Sequence, residues 1–211
     1  MRFIIPIIMG FTLSSNILLS KNILAVGDSH TSGYYQSGKQ SAPYTNIIHQ
    51  NIIKFGSTVQ NIARPGAQLA EITEQVQREL SSKKYDLVIV MGGTNDLAKG
   101  IPLSEMQSHI LTIVQIATKT STPILLMGIP DFCWFDPAIE EKREQFRAFL
   151  EGLANSDSIE FIDTQSHLPY CDLSYWDDLT HWSPKGSQFI GNLILNSTLI
   201  KSKILHDPRS E

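Results

Sequence analysis

The chain has 211 residues, of which 42% are hydrophobic and 18% charged, so it is long enough for one domain with its own hydrophobic core. Seventeen Lys and Arg against 21 Asp and Glu give a net charge of -4. With no basic run, this balance argues against a nucleic-acid or anionic-membrane partner. Two cysteines are too few for a disulfide framework, and no segment has the unbroken apolar length of a membrane span.

The first 20 residues have the pattern of a secretory leader. Arg2 precedes a run of about eleven apolar residues, where a signal peptide has ~7–15. The sequence has no Ala-x-Ala cleavage motif, and residues 12–14 are the best substitute. We expect residues 1–20 to be a signal peptide and residues 21–211 to be the working domain, secreted or periplasmic. The alternatives are an uncleaved N-terminal tether and a terminal strand or helix that covers the core of a cytoplasmic protein.

From residue 22 onward, short apolar runs alternate with longer segments of helical period. The predicted strands are Asn22–Gly27, Thr58–Ile62, Asp86–Met91, Pro123–Ile129 and Ile159–Ile162. The predicted helices lie near 42–54, 67–82, 103–119, 138–154 and 185–200. Several strands are apolar on both faces, as strands buried between two helical layers must be. The alternation predicts a three-layer α/β/α sandwich around a five-stranded, mainly parallel sheet.

Polar residues follow every predicted strand. Because the strands are expected to be parallel, their carboxyl ends and the residues that follow should lie at one edge of the sheet. Ligands of such sheets bind at this edge. The segments are 27–31, 63–67, 92–96, 130–135 and 178–181. They contain a Ser, a His, an Asp and several glycine and amide groups, which are the groups that enzymes use for acyl transfer.

Ser29 is the predicted nucleophile. A serine hydroxyl needs an imidazole to take its proton and a carboxylate to hold that imidazole in the right tautomer. Asp178 and His181 are three residues apart, so one turn of chain places the carboxylate against Nδ1 and leaves Nε2 for Ser29. Asp177 is the rival carboxylate, and the spacing favours Asp178. Taken alone, Ser29 is also explained as a turn or helix-cap residue.

Ester attack also needs hydrogen-bond donors for the negative carbonyl oxygen. The candidates for this oxyanion hole are the backbone N–H groups of Ser29 and Gly66 and the side-chain amide of Asn95. Each of them singly is explained by ordinary turn chemistry.

Together these residues resemble a known family. Four blocks, in order along the chain, match the signature blocks of the SGNH (GDSL-type) hydrolases: Gly27-Asp28-Ser29-His30, Asn61 to Gly66, Gly93-Thr94-Asn95-Asp96 and Asp178-Leu179-Thr180-His181. The resemblance covers roughly residues 22–200. It implies a flavodoxin-like sheet and a serine esterase or lipase mechanism, with no metal or organic cofactor. His30 departs from the Leu common after the nucleophile.

The resemblance implies a catalytic or oxyanion-hole role for five residues. Ser29 is the nucleophile and first oxyanion donor, His181 the base and Asp178 its orienting partner. Gly66 and Asn95 are the other two oxyanion donors.

Aromatic residues in the loops after the fourth and fifth strands are candidates for substrate binding. All three tryptophans, Trp134, Trp176 and Trp182, lie there, and Arg64 is a further candidate for contact with an anionic or hydroxyl-rich substrate. An aromatic wall can bury an acyl chain or stack on a sugar. Two alternatives remain open: the aromatic rings pack the loops together, and Arg64 is simply an exposed arginine.

Cys133 and Cys171 lie in the same two loops. In an exported protein they would form a disulfide that clamps the pocket wall, and the alternative is a pair of free thiols. Neither cysteine has a motif of its own, so a Cys nucleophile is rejected.

The sequence therefore predicts a single-domain serine esterase acting on small esters, either acetylated carbohydrates or short-chain and lysophospholipid acyl esters. An O-acyltransferase with the same residues is one alternative, and a non-catalytic carbohydrate- or ligand-binding module on the same fold is another. The first loop lacks the glycine patterns of nucleotide sites, which disfavours a nucleotide or flavin protein.

Overall fold

A computed structural model describes residues 20–35, 42–131, 133, 136–154 and 156–205. Residues 1–19 of the predicted leader lie outside this part of the chain, and so does Trp134.

Five parallel strands form the single sheet of the described chain. They are β1 (Asn22–Gly27), β2 (Thr58–Asn61), β3 (Leu87–Met91), β4 (Ile124–Met127) and β5 (Ile159–Ile162). The strand order is β2-β1-β3-β4-β5, the flavodoxin-like order in which the chain reverses direction across the sheet between β1 and β3. The predicted α/β/α fold class is confirmed.

Within the described ranges, seven α-helices surround the sheet. They are α1 (Ser29–Ser32), α2 (Tyr44–Ile52), α3 (Leu69–Ser82), α4 (Thr94–Ala98), α5 (Leu103–Lys119), α6 (Pro137–Leu153) and α7 (Pro184–Leu195). A π-helical turn, Ile200–Leu205, follows α7. Helices α3, α5 and α6 cover one face of the sheet, and α2 and α7 cover the other.

Both faces of the sheet are buried, which explains why its central strands are apolar throughout. In β1, Leu24 and Val26 face the α3/α5/α6 layer, whereas Ile23 and Ala25 face the α2/α7 layer. Strand β3 alternates in the same way, and all five of its residues are buried. Two helical layers therefore enclose the strand that ends just before Ser29, so its carboxyl end has a fixed position.

The structure adds two short helices that the sequence patterns did not predict, α1 and α4. Each spans about one turn and is too short for an apolar period of 3.6 residues to emerge. Both begin directly after a strand, at the carboxyl edge of the sheet. The predicted longer helices are present with ends that differ by at most two residues, except that the last one stops at Leu195 and is followed by the π-helical turn.

Candidate active site

Ser29 lies on the turn that joins β1 to α1. Asp28 caps the helix: its Oδ1 accepts the backbone N–H of His30 at 3.0 Å. Gly27 is required beneath this turn, since a Cβ there would come within 2.4 Å of the Met91 carbonyl oxygen. The turn leaves Ser29 only 6% exposed but at the edge of the sheet where the other loops meet.

His181 and Asp178 lie at the tip of a tight loop before α7. Trp176 and Trp182 face each other as an antiparallel bridge at the base of this loop. The backbone N–H of Asp177 donates to the carbonyl of His181 at 2.9 Å. These backbone contacts fix the loop of residues 176–182, which we call the 176–182 ribbon.

Within the ribbon, the Asp178 carboxylate organises the turn to His181. Its Oδ1 accepts the backbone N–H groups of Thr180 and His181, at 2.7 and 2.6 Å. Its Oδ2 lies 2.7 Å from Nδ1 of His181. Because a carboxylate only accepts, Nδ1 carries the proton and Nε2 is free to accept.

The third contact joins the ribbon to the β1–α1 turn. His181 Nε2 lies 3.1 Å from Ser29 Oγ across 152 positions of sequence. The structure therefore places the predicted residues Ser29, His181 and Asp178 in one hydrogen-bonded chain. The structure thus pairs His181 with Asp178, the carboxylate that the spacing favours.

Asp178 is held in its ionised form. Burial is the largest single influence and acts to raise its pKa. The hydrogen bonds from the ring and backbone of His181 and from the backbone of Thr180 together outweigh burial, so the pKa of Asp178 lies below its usual value.

Two further loops reach the same edge. The backbone N–H of Arg64 donates to the carbonyl of Gly27 at 3.0 Å, which fixes the loop after β2 beside the Ser29 turn. The Asn95 side-chain amide donates to the carbonyl of Ala67 at 3.0 Å. This bond uses one of the two N–H bonds of that amide. Gly66 is exposed with a φ of 81°, a backbone conformation that favours glycine.

Asp96 anchors α4 and α3 to each other next to Asn95. Both of its carboxylate oxygens accept the backbone N–H of Leu69, at 3.2 and 3.1 Å. Burial raises the pKa of Asp96, and the Leu69 hydrogen bond opposes that shift.

A model of the GDSL-like lipase/acylhydrolase family matches residues 25–189, the stretch that contains all of these loops. The chain belongs to this GDSL-like family.

Known proteins similar to this GDSL-like chain include esterases. An arylesterase of Vibrio mimicus is 23% identical over 128 residues, which span 60% of this chain and 63% of the arylesterase. A mutant acetylxylan esterase from Geobacillus stearothermophilus superposes with a TM-score of 0.69 at 19% identity, covering 83% of this chain and 92% of that one. A mutant of the esterase AlinE4 gives a TM-score of 0.56 at 26% identity, covering 68% and 75%.

The structure corrects the expected role of two tryptophans of this GDSL-like chain. Trp176 and Trp182 are each 2% exposed and pack in the core between the sheet and the α2/α7 layer. Their rings are therefore out of reach of a substrate, and the packing alternative describes them. The sequence left the burial of these rings undecided. The 176–182 ribbon has one antiparallel bridge, which is too short to give the apolar and polar alternation of a strand pair. Arg64 is exposed, and its substrate contact stays a prediction.

Different side chains border His181 in this GDSL-like site. The ring of Tyr34, 40% exposed, meets the His181 ring edge-on with 5.2 Å between centroids. Leu179, 58% exposed, lies between Asp178 and His181 in sequence. Sequence analysis singled out neither residue, because an isolated apolar side chain in a loop gives no pattern.

The two cysteines are free, half-buried thiols in the structure. Burial is the main influence that raises the pKa of Cys133 to about 12, and a hydrogen bond with Cys171 adds to it. The backbone N–H of Cys133 donates to the carbonyl of Leu179 at 2.8 Å, which ties this loop to the 176–182 ribbon. The disulfide stays a prediction for oxidising conditions.

In the described residues, no group of three or more His, Cys, Asp and Glu side chains is arranged to hold a metal ion. Among the same residues, no helix has the length and apolar character needed to cross a membrane.

Proposed function

We propose that the protein is a serine carboxylic ester hydrolase that forms an acyl-enzyme on Ser29. The observation that carries the proposal is the hydrogen-bonded chain in which His181 lies 3.1 Å from Ser29 Oγ and 2.7 Å from Asp178 Oδ2. Membership of the GDSL-like lipase/acylhydrolase family supports the same reaction class.

In the first half-reaction, Ser29 Oγ attacks the ester carbonyl carbon while His181 Nε2 takes its proton. Asp178 stabilises the imidazolium that forms. The negative carbonyl oxygen is bound by the backbone N–H groups of Ser29 and Gly66 and by the Asn95 amide. The tetrahedral intermediate then expels the alcohol, which receives the proton from His181, and leaves an acyl group on Ser29.

In the second half-reaction, His181 takes a proton from a water molecule, which attacks the acyl carbonyl. The second tetrahedral intermediate releases the carboxylic acid, and Ser29 Oγ recovers its proton from His181. Water is the only further reactant that the cycle consumes.

We propose small esters with an apolar or aromatic part as substrates. The exposed side chains of Tyr34, whose ring meets that of His181, and of Leu179, two residues before His181, would contact such a group. The names of the similar arylesterase and acetylxylan esterase support an aromatic alcohol part and an acetyl group, respectively. A panel of aryl acetates, acetylated sugars and acyl esters of rising chain length will rank these classes by kcat/KM. Equal rates for acetyl and long-chain acyl groups would contradict the proposal.

The reaction itself is tested with a short p-nitrophenyl ester. The wild-type protein should release p-nitrophenol, and Ser29→Ala should reduce kcat to the rate left by binding and oxyanion stabilisation alone. Ser108→Ala, an exposed serine of α5, is the control and should keep its activity. Full activity of Ser29→Ala in a folded protein would overturn the mechanism.

We also propose that the enzyme is exported, with residues 1–20 removed as the leader. The support is the basic start at Arg2 and the apolar run after it. The intact mass of protein recovered from a secreting host should lack this segment, and an unchanged N-terminus would contradict the proposal.

A further inference from the structure

His30, the residue after the predicted nucleophile, contacts a loop that is far away in sequence. Its side chain has no exposed surface, and Nε2 lies 2.8 Å from the carbonyl oxygen of Thr180. A carbonyl oxygen only accepts hydrogen bonds, so His30 carries its proton on Nε2 and donates it. The bond joins the β1–α1 turn to the 176–182 ribbon across 150 positions of sequence.

The ring of His30 is fixed from its other sides as well. Nδ1 lies 3.4 Å from Oδ1 of the buried Asp28 side chain but forms no hydrogen bond among the described residues. Trp182 meets the ring edge-on with 4.8 Å between centroids. The side chain is therefore buried against Asp28 and Trp182, with its donor directed at Thr180.

The acceptor of this bond lies at a sensitive place. Thr180 precedes His181, and its backbone N–H is one of the two that bind Asp178 Oδ1. The second N–H on Asp178 Oδ1 is that of His181, which belongs to the peptide unit between Thr180 and His181. The carbonyl of the same peptide unit accepts the bond from His30, so this one unit connects Asp178, His181 and His30. A shift of this peptide would change the position of the His181 ring relative to Ser29.

We propose that His30 is a positioning residue that holds the Asp178–His181 turn at the distance from which His181 takes the proton of Ser29. The inference rests on the proposed acyl transfer. Leu, the common residue of the family at this position, would fill the same volume without a donor for the Thr180 carbonyl. In this chain the position of His181 thus depends on a side-chain hydrogen bond from the residue next to the nucleophile.

Three substitutions at this position test the proposal. His30→Leu keeps apolar volume and removes the donor. In His30→Asn the amide is polar but too short to reach Thr180. In His30→Gln the amide nitrogen takes the place of Nε2 and donates to the same carbonyl. Each variant is assayed with the short p-nitrophenyl ester well below its unfolding temperature.

We expect His30→Leu and His30→Asn to lower kcat by about 10- to 100-fold, since a misplacement of 1 Å can cost ~10²-fold. KM should stay within about threefold, because the substitutions do not alter the exposed side chains of Tyr34 and Leu179 that we propose contact the ester. His30→Gln should recover kcat to within about threefold of wild type. The rate at which a fluorophosphonate labels Ser29 should follow kcat through the series, as it reports activation of the same hydroxyl.

A purely structural role gives a different result. It would lower the denaturant midpoint of the variants and leave kcat of the folded fraction and the labelling rate near wild type. That result would overturn the proposal, and so would a kcat for His30→Gln as low as that for His30→Asn. If His30→Leu does not fold, the comparison of His30→Asn with His30→Gln decides the question.

Ser29→Ala in the same assay separates this inference from the proposed function. If Ser29→Ala is inactive and the His30 variants are fully active, only the positioning role fails. If Ser29→Ala is fully active, the acyl-enzyme mechanism itself fails.

Discussion

Replacing Asp178 by Asn changes one atom of the side chain, and the structure dictates how the new amide must turn. Oδ1 of Asp178 accepts two backbone N–H groups, from Thr180 and His181, at 2.7 and 2.6 Å. The amide oxygen has to stay on these two donors, because an NH₂ group facing them would bury donor against donor. The amide nitrogen is then directed at Nδ1 of His181.

This orientation forces the wrong tautomer on the imidazole. Nδ1 of His181 must accept from the amide, so the ring proton moves to Nε2, the atom that faces Ser29 at 3.1 Å. A protonated Nε2 cannot take the proton of Ser29. In a serine protease, the same exchange of Asp for Asn lowers kcat by ~10⁴-fold with the geometry intact. At 1.36 kcal/mol for each factor of ten, that is about 5.4 kcal/mol of transition-state stabilisation.

The assay is hydrolysis of a short p-nitrophenyl ester at neutral pH, with Ser29→Ala as the background. Asp178→Asn should lower kcat by about 10⁴-fold, and the matched control Asp177→Asn should stay within a few-fold of wild type. A kcat for Asp178→Asn within tenfold of wild type, or a larger loss for Asp177→Asn, would refute the reasoning.

The same variant has a pH signature in stability. The pKa of Asp178 is lowered in the folded protein, because the hydrogen bonds it accepts outweigh its burial. The ionised carboxylate therefore contributes stability above its unfolded-state pKa of about 3.9, and this contribution is lost as the pH falls through the lower folded-state pKa. Urea unfolding of wild type and Asp178→Asn should give free energies that converge in acid, and a difference that widens in acid would contradict the sign.

Three further predictions concern the loops around this site. Asn95→Ala should lower kcat by about 10²- to 10³-fold with little change in KM, as loss of an oxyanion donor does, and a loss under threefold would remove Asn95 from that role. Gly27→Ala should destabilise the fold by about 1–3 kcal/mol in urea unfolding, because the new Cβ meets the Met91 carbonyl oxygen at 2.4 Å. The control Gly152→Ala, in open space on a helix, should be neutral or stabilise by up to about 1 kcal/mol, and equal effects of the two would contradict the steric argument. In the reduced protein, Cys133 should react slowly with iodoacetamide at pH 8 and about tenfold faster per added pH unit, because its pKa is raised to about 12. Carbamidomethyl mapping by mass spectrometry measures this, and a rate that levels off below pH 10 would contradict it.

The sequence was most informative where the chain is buried on both sides. Strands β1 and β3 are apolar at nearly every position, because each face of the sheet packs against a helical layer. Strand β2 is at an edge of the sheet and partly exposed, and its end was predicted one residue too late, at Ile62. The one-turn helices α1 and α4 were missed because hydrogen bonds of turns and caps define them, and such short segments have no hydrophobic period.

The candidate site could be located from the sequence because parallel strands deliver their following loops to one edge. That rule was enough to expect Ser29 near Asp178 and His181, and the contacts are present in the structure. Their catalytic roles stay predictions. The burial of Trp182 and the bond from His30 to Thr180 depend on how two distant loops pack together, and no local pattern encodes such packing.

The most direct test of the account is covalent labelling of Ser29. Incubation with a fluorophosphonate should add one phosphonyl group to the intact mass of the protein, and peptide mapping should place it on Ser29, because only a serine activated by its neighbouring imidazole attacks such a reagent quickly. Ser29→Ala and His181→Ala should remain unlabelled on the same time scale. An unlabelled wild-type protein that is folded, or a label on another residue, would contradict the claim that Ser29 is the nucleophile of this enzyme.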